Sequence, residues 1–146
     1  MAWRDSGESD HTQIELDSTL ESVDEAEAIA TREAKNMGFE EEDQAQIGMA
    51  VREWMVNAVV HGNRYSGKKK VHMAIQRAKE SLAFVIGDEG EGFDLSSLPD
   101  PLAPENLLRQ SGRGILLVRA FMDEFDVHPR PGGGTEARLV KNLAKS

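Results

Sequence analysis

The stretch VREWMVNAVVHGN, residues 51–63, constrains this chain more than any other. With Met49 and Ala50 before it, Val51, Trp54, Met55, Val56, Ala58, Val59 and Val60 make a helix apolar nearly all round. Such a helix has to be largely buried against other elements. One polar stripe interrupts it, because Glu53, Asn57 and His61 stand four residues apart and share a face. Buried carboxylates and amides need partners, so the stripe is expected either to line a cavity or to close a structural hydrogen-bond cluster.

The segments around it supply something to bury that helix against. Thr12 to Leu16 alternates weakly and reads as a short strand. From Thr19 to Met37, Leu20, Val23, Ala26, Ala30, Ala34 and Met37 recur at three- and four-residue steps, which predicts an amphipathic helix ended by Gly38 as its C′ residue. Glu40 to Asp43 then opens the second helix with carboxylates at its positive end, and Gly62-Asn63 stops it after His61. Val71 to Arg77 and Leu82 to Gly87 read as an antiparallel hairpin. Pro99, Pro101 and Pro104 make residues 95–106 a loop. Ser111 to Gly114 leads into a helix over Ile115 to Met122, and Phe125 to His128 with Thr135 to Val140 form a last hairpin. The order β-α-α-ββ-loop-α-ββ predicts an α/β two-layer sandwich, a mainly antiparallel sheet with helices on one face.

Composition narrows the setting. At 146 residues the chain suits one domain, expected over 12–146 behind a flexible tail, 1–11. It has no cysteine, which excludes a disulfide framework and thiolate zinc sites. The longest apolar run, Leu82 to Ile86, is far too short for a membrane span, and MAWRDSGESD lacks the apolar region of a secretory signal. A cytoplasmic location without membrane partners is expected. The net charge of −9 is unevenly placed, −11 over residues 1–46 and +2 over the rest. Phosphate repels an acidic front half, so direct nucleic-acid binding is not expected. That half is either a solvated face or a docking surface for a basic protein.

Two further segments carry chemistry. In IGDEGEGFD, residues 86–94, a strand ending in Asp-x-Gly-x-Gly sets a carboxylate at its tip, before backbone that only glycine can bend. That carboxylate, Asp88, can accept a hydrogen bond from an amine such as the exocyclic nitrogen of adenine, although an ordinary acidic turn looks the same. In SGRGILL, residues 111–117, glycines before a helix offer backbone N–H groups to phosphate, and such glycines are also common caps. Neither a P-loop nor a dinucleotide fingerprint nor an EF-hand loop is present. His11, His72 and His128 show no metal spacing.

Taken in order, Glu-x-x-x-Asn on a helix, Asp-x-Gly-x-Gly after a strand, Gly-x-Gly before a helix and Gly-Gly-Thr entering the last strand resemble the Bergerat ATP-binding fold of the GHKL ATPases. The stretches N-A-x-x-H-G-N at 57–63 and S-G-x-G through F-M-D-E-F at 111–125 are similar to the anti-sigma factor serine kinases, the switch proteins of bacterial partner switching. The resemblance covers about residues 12–141. It implies that Asn57 coordinates Mg²⁺ bridging the ATP phosphates and that Glu53 is the general base for a serine hydroxyl. It implies that Asp88 binds the adenine amine, with Gly90 and Gly92 letting the base approach and Thr135 supporting the contact through water. Gly112 and Gly114 would wrap the phosphates in a lid. Gln110 stands where some members carry an arginine, so Arg109 or Arg113 would have to reach the terminal phosphate. His61 reads first as a helix-end residue facing the dipole, and second as a phosphate partner.

By the same resemblance the partners would be a sigma factor, held by sequestration, and a STAS-type anti-anti-sigma factor, phosphorylated on serine. A homodimer is implied as well. The competing reading is a non-catalytic module that holds ATP and acts by sequestration alone.

Overall fold

The computed structural model describes residues 11–90 and 110–143, with 110–113 described in backbone only. Most of the expected tail, residues 1–10, the proline-bearing loop, Gly92 and Arg109 lie outside the described residues.

Strand β1, His11–Asp17, runs one residue further at each end than its weak alternation suggests. Helix α1, Leu20–Met37, starts where Thr19 Oγ1 accepts the Ser22 N–H at 3.2 Å. It ends at Gly38, whose φ of 95° is the left-handed conformation expected there. Gly38 N donates to Lys35 O and Phe39 N to Ala34 O, the paired bonds that satisfy the last carbonyls of a helix. Helix α2, Glu41–Val56, begins with Glu41, Glu42 and Asp43 in its first turn.

The second helix is not one regular α-helix to His61. At Asn57 it passes into a π-helical turn, Asn57–Gly62, closed by Asn63 N donating to Ala58 O at 2.8 Å. A π-turn winds more slowly than an α-helix, so the four-residue stripe is broken after Asn57. His61 is exposed, while Gly62 and Asn63 turn inward and are buried.

Strands β2, Lys70–Arg77, and β3, Ser81–Gly87, form the expected hairpin. Helix α3, Gln110–Phe121, starts five residues before Ile115. Gly112 and Gly114 therefore lie inside its first turns rather than in a loop ahead of it. Their low helix propensity masks the helix start in the sequence. Strands β4, Glu124–Pro129, and β5, Thr135–Asn142, form the closing hairpin. Every pairing in the sheet is antiparallel, in the order β1-β2-β3-β5-β4.

Alternation sends Met73 and Ile75 of β2, Phe84 and Ile86 of β3 and Leu139 of β5 to one sheet face. The helices cover that face, and α2 touches both α1 and α3 while lying over β3 and β5. Trp54 of α2 is fully buried, with its ring edge-on to Phe125 at 5.6 Å. The fold is the α/β sandwich expected, a single antiparallel sheet with its helices on one side.

Candidate functional site

Central strand β3 ends against the C-terminal end of the α2 segment, and Asp88 stands at that junction with 1% exposure. Three glycines make the approach possible. A Cβ on Gly62 would lie 2.2 Å from Asp88 Oδ2, and one on Gly134 would lie 2.0 Å from the Asp88 carbonyl oxygen. A Cβ on Gly90 would lie 2.1 Å from the Gly62 carbonyl oxygen. Gly90 thus makes room for the helix end, whatever it also does for a ligand.

The Asp88 carboxylate is held by backbone donors. Oδ1 accepts from Gly90 N at 2.9 Å and from Thr135 N at 3.2 Å, while Asp88 N donates to Thr135 O at 2.9 Å. Both side-chain bonds among the described residues end on Oδ1, and Oδ2, which faces Gly62, accepts none among them. Burial pushes the Asp88 carboxyl up from its ordinary value, and the two backbone bonds oppose that only in part.

Glu53 is half-buried one turn before Asn57. Burial raises its pKa too, and the neighbouring Arg52 offsets this weakly. Arg52 turns instead to Asp24 at 2.6 Å and Glu27 at 2.9 Å on α1. Gly114 of α3 is buried directly against the carboxylate, since a Cβ there would lie 2.9 Å from Glu53 Oε2. Among the described residues neither the Glu53 carboxylate nor the half-buried Asn57 side chain has a hydrogen-bond partner. A raised, unpaired carboxylate of this kind suits proton transfer.

The structure therefore brings Glu53 and Gly114 together at one place, and Asp88, Gly90 and Thr135 at another, with Asn57 starting the π-turn that leads from α2 to Gly62. Gly112 and Arg113 belong to α3, and His61 faces solvent. Gly62 and Asn63, expected from the sequence only to stop the helix, belong to the Asp88 cluster. Only the Gly-Asn pair after the polar stripe hinted at it, and the same pair ends many ordinary helices.

The donor set fits a nucleotide. One oxygen of the buried Asp88 carboxylate has no hydrogen-bond donor among the described residues, which suits an adenine amine, and the Asn57 amide one turn from the Glu53 carboxylate suits Mg²⁺ held partly by phosphates. Among the described residues no group of three or more His, Asp or Glu is placed to hold a metal unaided. No helix among them is long and apolar enough to cross a membrane.

The Histidine kinase-like ATPase domain profile matches residues 16–141, and the chain belongs to that family. Within it, the chain groups with the anti-sigma factor kinases. It is 33% identical over 109 residues to the Anti-sigma F factor of Bacillus licheniformis, spanning 72% of this chain and 73% of that protein. It is 26% identical over 129 residues to the Serine-protein kinase RsbW of Oceanobacillus iheyensis, spanning 84% and 82%. The catalytic domain of the histidine kinase ThkA superposes with a TM-score of 0.56 at 11% identity, covering 90% of this chain and 95% of that one, which shows the shared fold. Membership implies an ATP-binding, kinase-like module of the anti-sigma factor type.

Proposed function

We propose that this protein is an ATP-dependent serine kinase that sequesters a sigma factor and phosphorylates a STAS-type anti-anti-sigma factor. In this reading residues 12–146 form a single GHKL-type ATP-binding kinase domain behind the tail, acting in the cytoplasm as a homodimer. Asp88 takes the adenine amine, with Gly90, Gly92 and Thr135 around it. Asn57 would hold Mg²⁺, and the ion would supply charge neutralisation for the phosphates. Gly112 and Gly114, with Arg109 or Arg113, enclose the phosphate end. Glu53 accepts the proton of the incoming serine hydroxyl as its oxygen attacks the terminal phosphoryl group, and ADP leaves.

The observation that carries the kinase reading is the Glu53 carboxylate packed against Gly114, its pKa raised by burial and without a hydrogen-bond partner among the described residues, on the helix that ends at Asn57. The test is Glu53→Gln. Phosphate transfer to the antagonist should fall by at least about a hundredfold, a range usual for a lost general base, with ATP affinity within several-fold of wild type. Unchanged transfer would remove Glu53 from the reaction, and absent transfer in the wild type would leave an ATP-holding module that acts by sequestration.

A further inference from the structure

We propose that Asn63 is a positioning residue for adenine selection, the group that fixes the Asp88 turn to the catalytic helix. This inference rests on the reading of Asp88 as the adenine-binding carboxylate.

Asn63 is 1% exposed at the end of the π-turn, and its amide is used at both ends. Oδ1 accepts the Glu89 N–H at 2.7 Å. Nδ2 donates to Ser18 Oγ and to Lys70 O, each at 2.9 Å. Lys70 O can only accept, so the amide nitrogen has to face it and the oxygen has to face Glu89. Ser18 Oγ donates onward to Lys69 O at 2.7 Å, which fixes the sense of the remaining bond. The amide orientation is therefore dictated by its partners.

Glu89 lies between the carboxylate and Gly90. Each N–H in this run has one assigned acceptor: Asp88 N meets Thr135 O, Glu89 N meets Asn63 Oδ1 and Gly90 N meets Asp88 Oδ1. Of these acceptors only Asn63 belongs to the segment that carries Glu53 and Asn57. The bond thus sets where the adenine end of the site stands relative to the phosphate end. Without it the Glu89 N–H loses its partner, and the turn can pivot about the Thr135 pairing and swing Oδ2 off the amine.

The experiment measures the affinity of the full chain, with Mg²⁺, for ATP and for purine riboside triphosphate, which lacks the 6-amino group. The ratio of the two reports the amine contact. Wild type is expected to prefer ATP. In Asn63→Ala the ATP affinity should fall about 10- to 30-fold, within the range for leaving a buried donor unpaired, and that for the amine-less analogue by less than about threefold. Ser18→Ala, which cuts the anchor on the nitrogen side, should lower the thermal midpoint and leave the ratio unchanged. Asn63→Asp, whose buried carboxyl in its protonated form keeps an oxygen for Glu89 N and an O–H for Lys70 O, should hold the ratio within about threefold, which provides the reading if the alanine variant does not fold. Equal losses for both nucleotides in Asn63→Ala, or a collapsed ratio in Asn63→Asp, overturn the role given to Asn63. A wild type without preference overturns the adenine role of Asp88 itself, and this inference with it.

Discussion

At the scale of single residues, Asp88 sets function against stability. Burial raises its pKa, so the native state binds its proton more tightly than the unfolded chain does. The stabilising effect of that proton is full below the unfolded value and is lost as pH rises through the folded one. Wherever the carboxyl is ionised, burial makes that charge costlier in the folded protein than in the unfolded chain. Asp88→Asn removes the charge and keeps an oxygen for Gly90 N and Thr135 N. The expected result at pH 7 is a thermal midpoint equal to or above wild type, with ATP binding reduced at least about a hundredfold, as a lost charge-assisted contact allows. Scanning calorimetry with and without ATP reads both quantities. A lower midpoint without ligand would show that the carboxylate serves mainly to hold the turn.

Between elements, the Glu33–Arg77 pair shows the opposite sign. Arg77 Nε of β2 donates to Glu33 Oε1 of α1 at 2.7 Å, joining the helical layer to the sheet with both side chains mostly covered. That bond holds the Glu33 carboxyl below its ordinary value. Its contribution is present above the unfolded pKa and is lost as pH falls through the lowered folded one. Glu33→Gln should cost about 1–2 kcal/mol at pH 7, with the difference from wild type shrinking below roughly pH 4. Urea unfolding followed by Trp54 fluorescence measures it, and a difference that does not shrink in acid would assign the loss to packing.

What could be read at this scale depended on whether the cause was local. The three- and four-residue steps of α1 and its Gly38 stop are properties of neighbouring residues, and both were legible. So were the two hairpins, through alternation and turn chemistry, and so was the polar stripe as far as Asn57. The π-turn was not, because its winding brings Gly62 and Asn63 against Asp88, 26 and 25 residues further along the chain. The start of α3 was hidden by Gly112 and Gly114, which weaken a helix locally and fit it here because Glu53 packs directly against Gly114.

For the whole molecule, the charge distribution acquires a direction from the sheet. The helices occupy one face, and α1 with the start of α2 carries exposed Glu21, Asp24, Glu25, Glu41 and Glu42 on that side. Some acidic groups there are committed within the chain, as Asp24 and Glu27 are to Arg52. Glu41 and Glu42 are exposed in the first turn of α2, and no ion pair among the described residues involves them. If this face receives a basic partner, the attraction acts between exposed charges and is screened over a Debye length of about 8 Å at physiological salt. Affinity for the sigma factor should then fall by roughly tenfold between about 0.1 and 0.5 M salt. Lys in place of both Glu41 and Glu42 should lower the association rate more than it raises the dissociation rate, because exposed charges steer encounter more than they hold the complex. Stopped-flow association across a salt series separates the two rates. An affinity independent of salt, with the double variant unchanged, would assign docking to another surface and leave the acidic layer as a solvated face.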